Sequence, residues 1–163
     1  MQNNANQQRI VKTCLFLSKV VDGDGLFLKD IINKEEIEIR FLGIDAPEIK
    51  RCRKLFQDER ETHVAGELLM KLGRLSFNYL VELIKPNTNL TIILEENNQI
   101  DLYGRTLAYV YLPDGRCVNE IMVTEGYAKP FDRYYCSELT NYQILNLMAK
   151  NERKGLYSIV NGY

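Results

Sequence analysis

The chain of 163 residues contains one histidine, His63, so catalytic schemes that need an imidazole base have almost nothing to draw on. His63 lies near the start of an amphipathic stretch and reads as a surface or boundary residue rather than a catalytic one. The four cysteines, Cys14, Cys52, Cys117 and Cys136, are widely separated and form no CxxC pair. That excludes a zinc site of the usual spacings. An even cysteine count in a chain of this size does not indicate disulfides, and reduced, buried thiols are expected. No apolar run approaches the length needed to span a bilayer. The opening stretch from Met1 to Gln8 is rich in Asn and Gln and holds no apolar run of signal-peptide length. No export signal is read in it, which leaves the compartment open.

A surplus of positive charge is also missing. Lys and Arg number 21 against 22 Asp and Glu, a formal net charge of −1. Nucleic-acid binders usually carry a basic excess, because phosphate contacts supply much of their affinity. Any polyanion handled by this chain must therefore meet a local basic cluster or a bound cation. Internal repeats and linkers rich in Pro, Gly or Ser are absent as well.

What remains is an ordinary globular composition, 45% hydrophobic and 26% charged, in a chain long enough to bury a core without a metal or disulfide staple. A disordered tail is expected over residues 1–9 and a single domain over 10–160. Ile10 to Val21 is apolar and β-branched and predicts a strand. Asp22-Gly23-Asp24-Gly25 predicts a turn, Leu26 to Lys29 a second strand, and Asn33-Lys34 a second turn. Ile37, Ile39 and Phe41 alternate with Glu38, Arg40 and Leu42, giving a third strand with one core face. Together these make an antiparallel meander. Val64, Leu68, Leu72, Leu75, Tyr79 and Leu83 then form a helical stripe, stopped by Pro86-Asn87. Leu90 to Leu94 and Thr106 to Leu112 predict two more strands. A short helix is expected over Val118 to Glu125, closed by Gly126, and a last one over Glu138 to Lys154 with Leu139, Tyr142, Leu145 and Met148 on one face. Five strands with a helix between the third and fourth is the element order of an OB-type barrel, so the expected class is α+β, β-rich, with about three helices.

Three short segments concentrate residues that can do chemistry. Asp22-Gly23-Asp24-Gly25, taken alone, is a hairpin turn. It is not an EF-hand loop, since Leu26, Phe27 and Asn33 would fall at that motif's fifth, sixth and twelfth positions. Asp24 can still serve as one carboxylate of a simpler metal site. Arg40 to Glu48 places an arginine, an aspartate and a glutamate at the end of one strand and in the loop after it. A half-buried arginine here needs anionic partners, and a structural ion pair is the plain alternative. Asp101-Leu102-Tyr103-Gly104-Arg105 brings an aromatic residue and a second arginine just before a strand. Separately, each segment has a structural explanation. Together, aspartates suited to a hard cation, a further carboxylate and two arginines are what phosphodiester hydrolysis requires. With almost no histidine, the general base must be a carboxylate, and Glu48 is the candidate.

These residues resemble the staphylococcal nuclease (thermonuclease) family. The resemblance rests on Val21-Asp22-Gly23-Asp24, on Arg40 through Asp45-Ala46-Pro47-Glu48, on Asp101-Leu102-Tyr103-Gly104-Arg105, and on the run from there into Val118-Asn119-Glu120. Gly126-Tyr127-Ala128-Lys129 and Gly155-Leu156-Tyr157-Ser158 continue it, so it spans about residues 10–158. It implies that Asp24 and Asp45 bind calcium with the backbone carbonyl of Ala46, that Arg40 and Arg105 bind phosphate, and that Glu48 acts as base. Tyr103 and Tyr134 would contact the nucleotide. The implied activity is calcium-dependent hydrolysis of DNA and RNA, preferably single-stranded, by a monomer, with cleavage of P–O5′ leaving a 3′-phosphate. No membrane association is implied. The alternative is a non-catalytic module of the same fold that binds nucleic acid or protein. The chain departs from the family pattern at Gly25 and Ala46, where threonine is common, and at Leu102, where lysine is often found. The stretch from Lys50 to Gly73 is long and predicts an extended helix or loop beside the site.

Overall fold

The computed structural model describes residues 8–163. The expected tail therefore lies outside the described residues except at its end, where Arg9 already opens the first strand. Strand β1 (Arg9–Asp22) runs antiparallel to β2 (Gly25–Asp30), which pairs antiparallel with β3 (Glu36–Phe41). This is the meander that alternation predicted. After a two-residue strand β4 (Ile44–Asp45) come helices α1 (Arg53–Thr62) and α2 (Gly66–Leu83). Strands β5 (Asn89–Glu95) and β6 (Thr106–Tyr111) follow, then α3 (Val118–Thr124), the short β7 (Lys129–Pro130), α4 (Leu139–Asn151) and a 3-10 turn over Gly155–Ser158.

The five long strands close into a barrel in the order β1-β2-β3-β6-β5, with β5 returning to β1. The fold is α+β, as expected, with four α-helices among the described residues rather than about three. The additional helix is α1, in the stretch that predicted a helix or loop. Closure depends on one parallel pairing, β3 with β6, which sets Ile39 beside Thr106 and Arg40 beside Leu107. Inside the barrel, Leu15, Leu26, Leu28, Ile39, Leu90, Ile92 and Val110 are fully buried. A second, smaller core joins α1 and α2 to the C-terminal segment through Leu55, Leu69, Leu72, Ala149, Leu156 and Tyr157.

The helix expected from Val64 to Leu83 forms, but its buried stripe is displaced. Leu69, Leu72, Gly73, Ser76 and Leu80 face inward, while Leu75 is exposed. The cause is close backbone approach. A Cβ on Gly73 would stand 2.5 Å from the Pro47 carbonyl oxygen and 2.7 Å from that of Glu48, so α2 lies directly on the loop after β4. A second contact of this kind is at Gly23, where a Cβ would meet the Cβ atoms of Ser76 and Ala46. Small residues, which a hydrophobic stripe ignores, decide which face packs. In α4, Ala149 is buried and Met148, expected on the packed face, is exposed. All four cysteines are free thiols; Cys136 is buried and the other three are half-buried. Among the described residues no helix is long and apolar enough to cross a membrane.

Candidate active site

The turn after β1 and the ends of β3 and β4 meet at one mouth of the barrel. Arg40 is the centre of this meeting. Its guanidinium lies 2.6 Å from Asp24 Oδ1 and 2.8 Å from Asp45 Oδ1, and it also donates to the Asp24 carbonyl oxygen at 3.4 Å. All three side chains are buried, with Arg40 only 6% exposed. Asp24 Oδ2 accepts a 2.6 Å hydrogen bond from the Ala46 N–H, which ties the first turn to the loop after β4. Gly25 lies opposite Arg40 in the β2–β3 ladder, and a Cβ there would approach Asp22 Oδ1 to 2.9 Å. Glycine therefore fits against the Asp22 carboxylate at that position.

Burial pushes the Asp24 carboxyl well above the ordinary carboxylate range. Arg40 opposes that rise, while the nearby Asp22 and Asp45 carboxylates reinforce it. For Arg40, burial works against the charge but is outweighed by the carboxylates of Asp24, Asp45 and Asp22, which hold it protonated. The cluster is thus over-supplied with negative charge, and more positive charge would stabilise it. Part of that comes from Lys54 on α1. Its Nζ lies 3.0 Å from Asp45 Oδ2, 3.3 Å from Glu48 Oε1 and 3.2 Å from Asp58 Oδ2. Neither Lys54 nor Asp58 stands out in the sequence, because only the docking of α1 turns them toward the site. That docking follows from Leu55, which is buried in the second core, and from Cys52, whose Sγ accepts from the Leu55 N–H at the helix start.

The second arginine reaches the same cleft from the loop before β6. Asp101 organises that loop. Its Oδ1 accepts from the backbone N–H groups of Tyr103 and Arg105, both at 2.9 Å, and its Oδ2 accepts from Arg105 Nε at 2.7 Å. Burial raises the cost of the Asp101 charge, yet these donors outweigh it and hold the carboxyl below its ordinary value. Arg105 keeps about a quarter of its side chain exposed, with its guanidinium 5.5 Å from the Tyr103 ring centre. Tyr134 Oη accepts from the Leu102 N–H at 3.3 Å and joins this loop to the segment after β7.

Asp24, Arg40, Asp45, Glu48, Tyr103, Arg105 and Tyr134 all line one cleft of about 720 Å³. Ala46 is 4% exposed and takes part through its backbone. His63 is exposed and ends α1 in the left-handed conformation, away from this set. Sequence reasoning missed four further cations that line the cleft, Arg53, Lys54, Lys129 and Arg133. With Arg40 and Arg105 they make six cations in a cleft that seven carboxylates also line, so its charge is mixed rather than basic.

Residues 38–159 match the family described as staphylococcal nuclease homologue. The chain belongs to that family. It is 31% identical over 140 residues to an uncharacterised endonuclease of Escherichia coli O157:H7, covering 86% of this chain and 74% of that protein. It is 28% identical over 145 residues to endonuclease YhcR of Bacillus subtilis strain 168, across 87% of this chain but 11% of YhcR. With endonuclease YncB of the same strain it shares 29% identity over 128 residues, which is 78% of this chain and 51% of YncB. The chain thus spans about three quarters of the first relative, about a tenth of the second and about half of the third. All three relatives carry the name endonuclease.

Proposed function

We propose that this member of the staphylococcal nuclease family is a calcium-dependent nuclease that cleaves the P–O5′ bond of DNA and RNA by direct attack of water. The observation that carries the proposal is Arg40, bonded to both Asp24 and Asp45 at the floor of a cleft that Glu48 and Arg105 also line. The donor chemistry fits a hard divalent cation: it is all oxygen, and a cation of the protein's own already bonds to Asp45 and Glu48. Among the described residues no three Asp, Glu, His or Cys side chains are spaced to hold a metal by themselves. Asp24, Asp45 and the Ala46 carbonyl would therefore share the ion with water. Once bound, calcium supplies positive charge beside a non-bridging phosphate oxygen.

The remaining work belongs to side chains. Arg40 and Arg105 neutralise the phosphoryl oxygens as charge builds in the transition state, which a planar guanidinium does through paired N–H donors. Glu48, about a quarter of whose side chain is exposed, takes a proton from the attacking water. The new bond joins the water oxygen to phosphorus. The bond to O5′ breaks, O5′ takes up a proton, and the phosphate stays on the 3′ side. No 2′-hydroxyl takes part, so DNA and RNA are both substrates. Tyr103 and Tyr134 offer ring faces to unstacked bases, which favours single strands.

Single-stranded DNA should be digested in calcium and left intact in EGTA, and Glu48→Ser should cut at least about a hundredfold more slowly. End-labelled products should carry a phosphatase-sensitive 3′ end. Activity that survives both EGTA and the Glu48 substitution would overturn the mechanism.

A further inference from the structure

We infer that Lys54 is a tethered counter-cation that competes with the divalent ion for Asp45, so that its ammonium gives up this carboxylate when metal binds. The inference rests on the calcium reading above. Its basis is which oxygen atoms are already taken. Asp45 has both carboxylate oxygens bonded to cations, Oδ1 to Arg40 and Oδ2 to Lys54. Glu48 Oε1 is likewise bonded to Lys54. A metal ligated by Asp45 takes a lone pair on an oxygen that already faces a cation, and the two positive charges then repel each other at close range. Arg40 is buried and fixed from two sides, whereas Lys54 keeps a third of its side chain exposed. The lysine is therefore the partner that yields.

The helix provides a place for it to go. Asp58 stands one turn further along α1 and bonds the same Nζ as an i, i+4 pair. An ammonium released from Asp45 keeps that partner, which lowers the cost of leaving. Leu55, buried at the helix base, holds the backbone in place, so only the four-carbon stem has to move. The three carboxylates come from a strand, a loop and the helix. A surface ion pair would not gather groups from three elements.

Calcium binding to the full chain, measured by titration calorimetry without nucleic acid, tests this. Lys54→Met keeps the stem and removes the charge, and Lys54→Gln is a polar second choice should the first not fold. Either should bind calcium about tenfold or more tightly than the wild type, since a unit charge a few ångströms from the ion is removed. Lys54→Arg, which keeps the charge, should stay within a few-fold of the wild type. In EDTA the neutral variants should unfold at lower temperature than the wild type, and saturating calcium should close that gap. Equal or weaker calcium affinity in a folded neutral variant overturns the inference and leaves the calcium reading standing. Absence of calcium binding in the wild type and the variants alike overturns both.

Discussion

Arg40 and Arg105 line the same cleft but are held in opposite ways. Arg40 is buried and clamped by two aspartates from different elements, one in the turn after β1 and one in β4. Arg105 is held by a single aspartate four residues earlier, in a turn that Asp101 builds with its own loop. The first arginine is part of the protein's internal structure, and removing it leaves carboxylates in a low-dielectric interior without their partner. The second is a local device at the surface, and the barrel does not depend on it. Two residues with the same proposed task should therefore differ in what their loss does to the fold.

Arg40→Ala should show the largest effect. Breaking a buried pair by removing one partner costs about 3–5 kcal/mol, so chemical denaturation should show a clear loss of stability along with loss of cleavage. Arg105→Ala should remove about 3–4 kcal/mol of transition-state stabilisation, seen in kcat, with a denaturation midpoint close to wild type. Equal destabilisation by both substitutions would break the contrast.

A smaller effect is expected for Asp101→Asn, which keeps one acceptor for the loop but frees the Arg105 guanidinium. Cleavage should fall by about tenfold, on the order of the weight of one charge-assisted hydrogen bond. The Asp101 carboxyl is depressed, so the stability it contributes is present above the ordinary carboxylate range and is lost as pH falls through its folded value. The stability gap between wild type and variant should accordingly be full at neutral pH and close in strong acid.

The smaller effect on stability within the Arg40 cluster is expected for Asp24→Asn. The amide removes one of the two carboxylates bonded to the buried Arg40 guanidinium, but Asp45 stays in place. The variant should therefore lose stability, though less than Arg40→Ala, because the guanidinium keeps one charged partner. Chemical denaturation at neutral pH should show the smaller loss, while cleavage is lost.

Much of the frame was legible because strands and turns are written locally. Alternation at Ile37, Ile39 and Phe41, the Asp22–Gly25 turn and the Gly126 stop each depend on a few neighbouring residues. The helix faces were harder to read. In α2 the packing surface is set by Gly73 and Ser76, which carry no hydrophobic signal, because the backbone of the Pro47–Glu48 loop presses against them. The cleft's extra cations were illegible for a related reason. Arg53 and Lys54 belong to a helix whose direction is set by Leu55 in a core shared with residues from the far end of the chain.

The sequence by itself determined the order of elements along the chain and the barrel class, and it singled out Asp24, Arg40, Asp45, Glu48 and Arg105, since each lies in a short segment with its own local signature. Only the tertiary structure decided that they belong to one site. The parallel pairing of β3 with β6 sets Arg40 beside Leu107 and so brings the Arg105 loop to the same barrel mouth. It also decided that Lys54 reaches Asp45. That contact depends on how a helix docks, and docking is a property of the packed core rather than of any segment read alone.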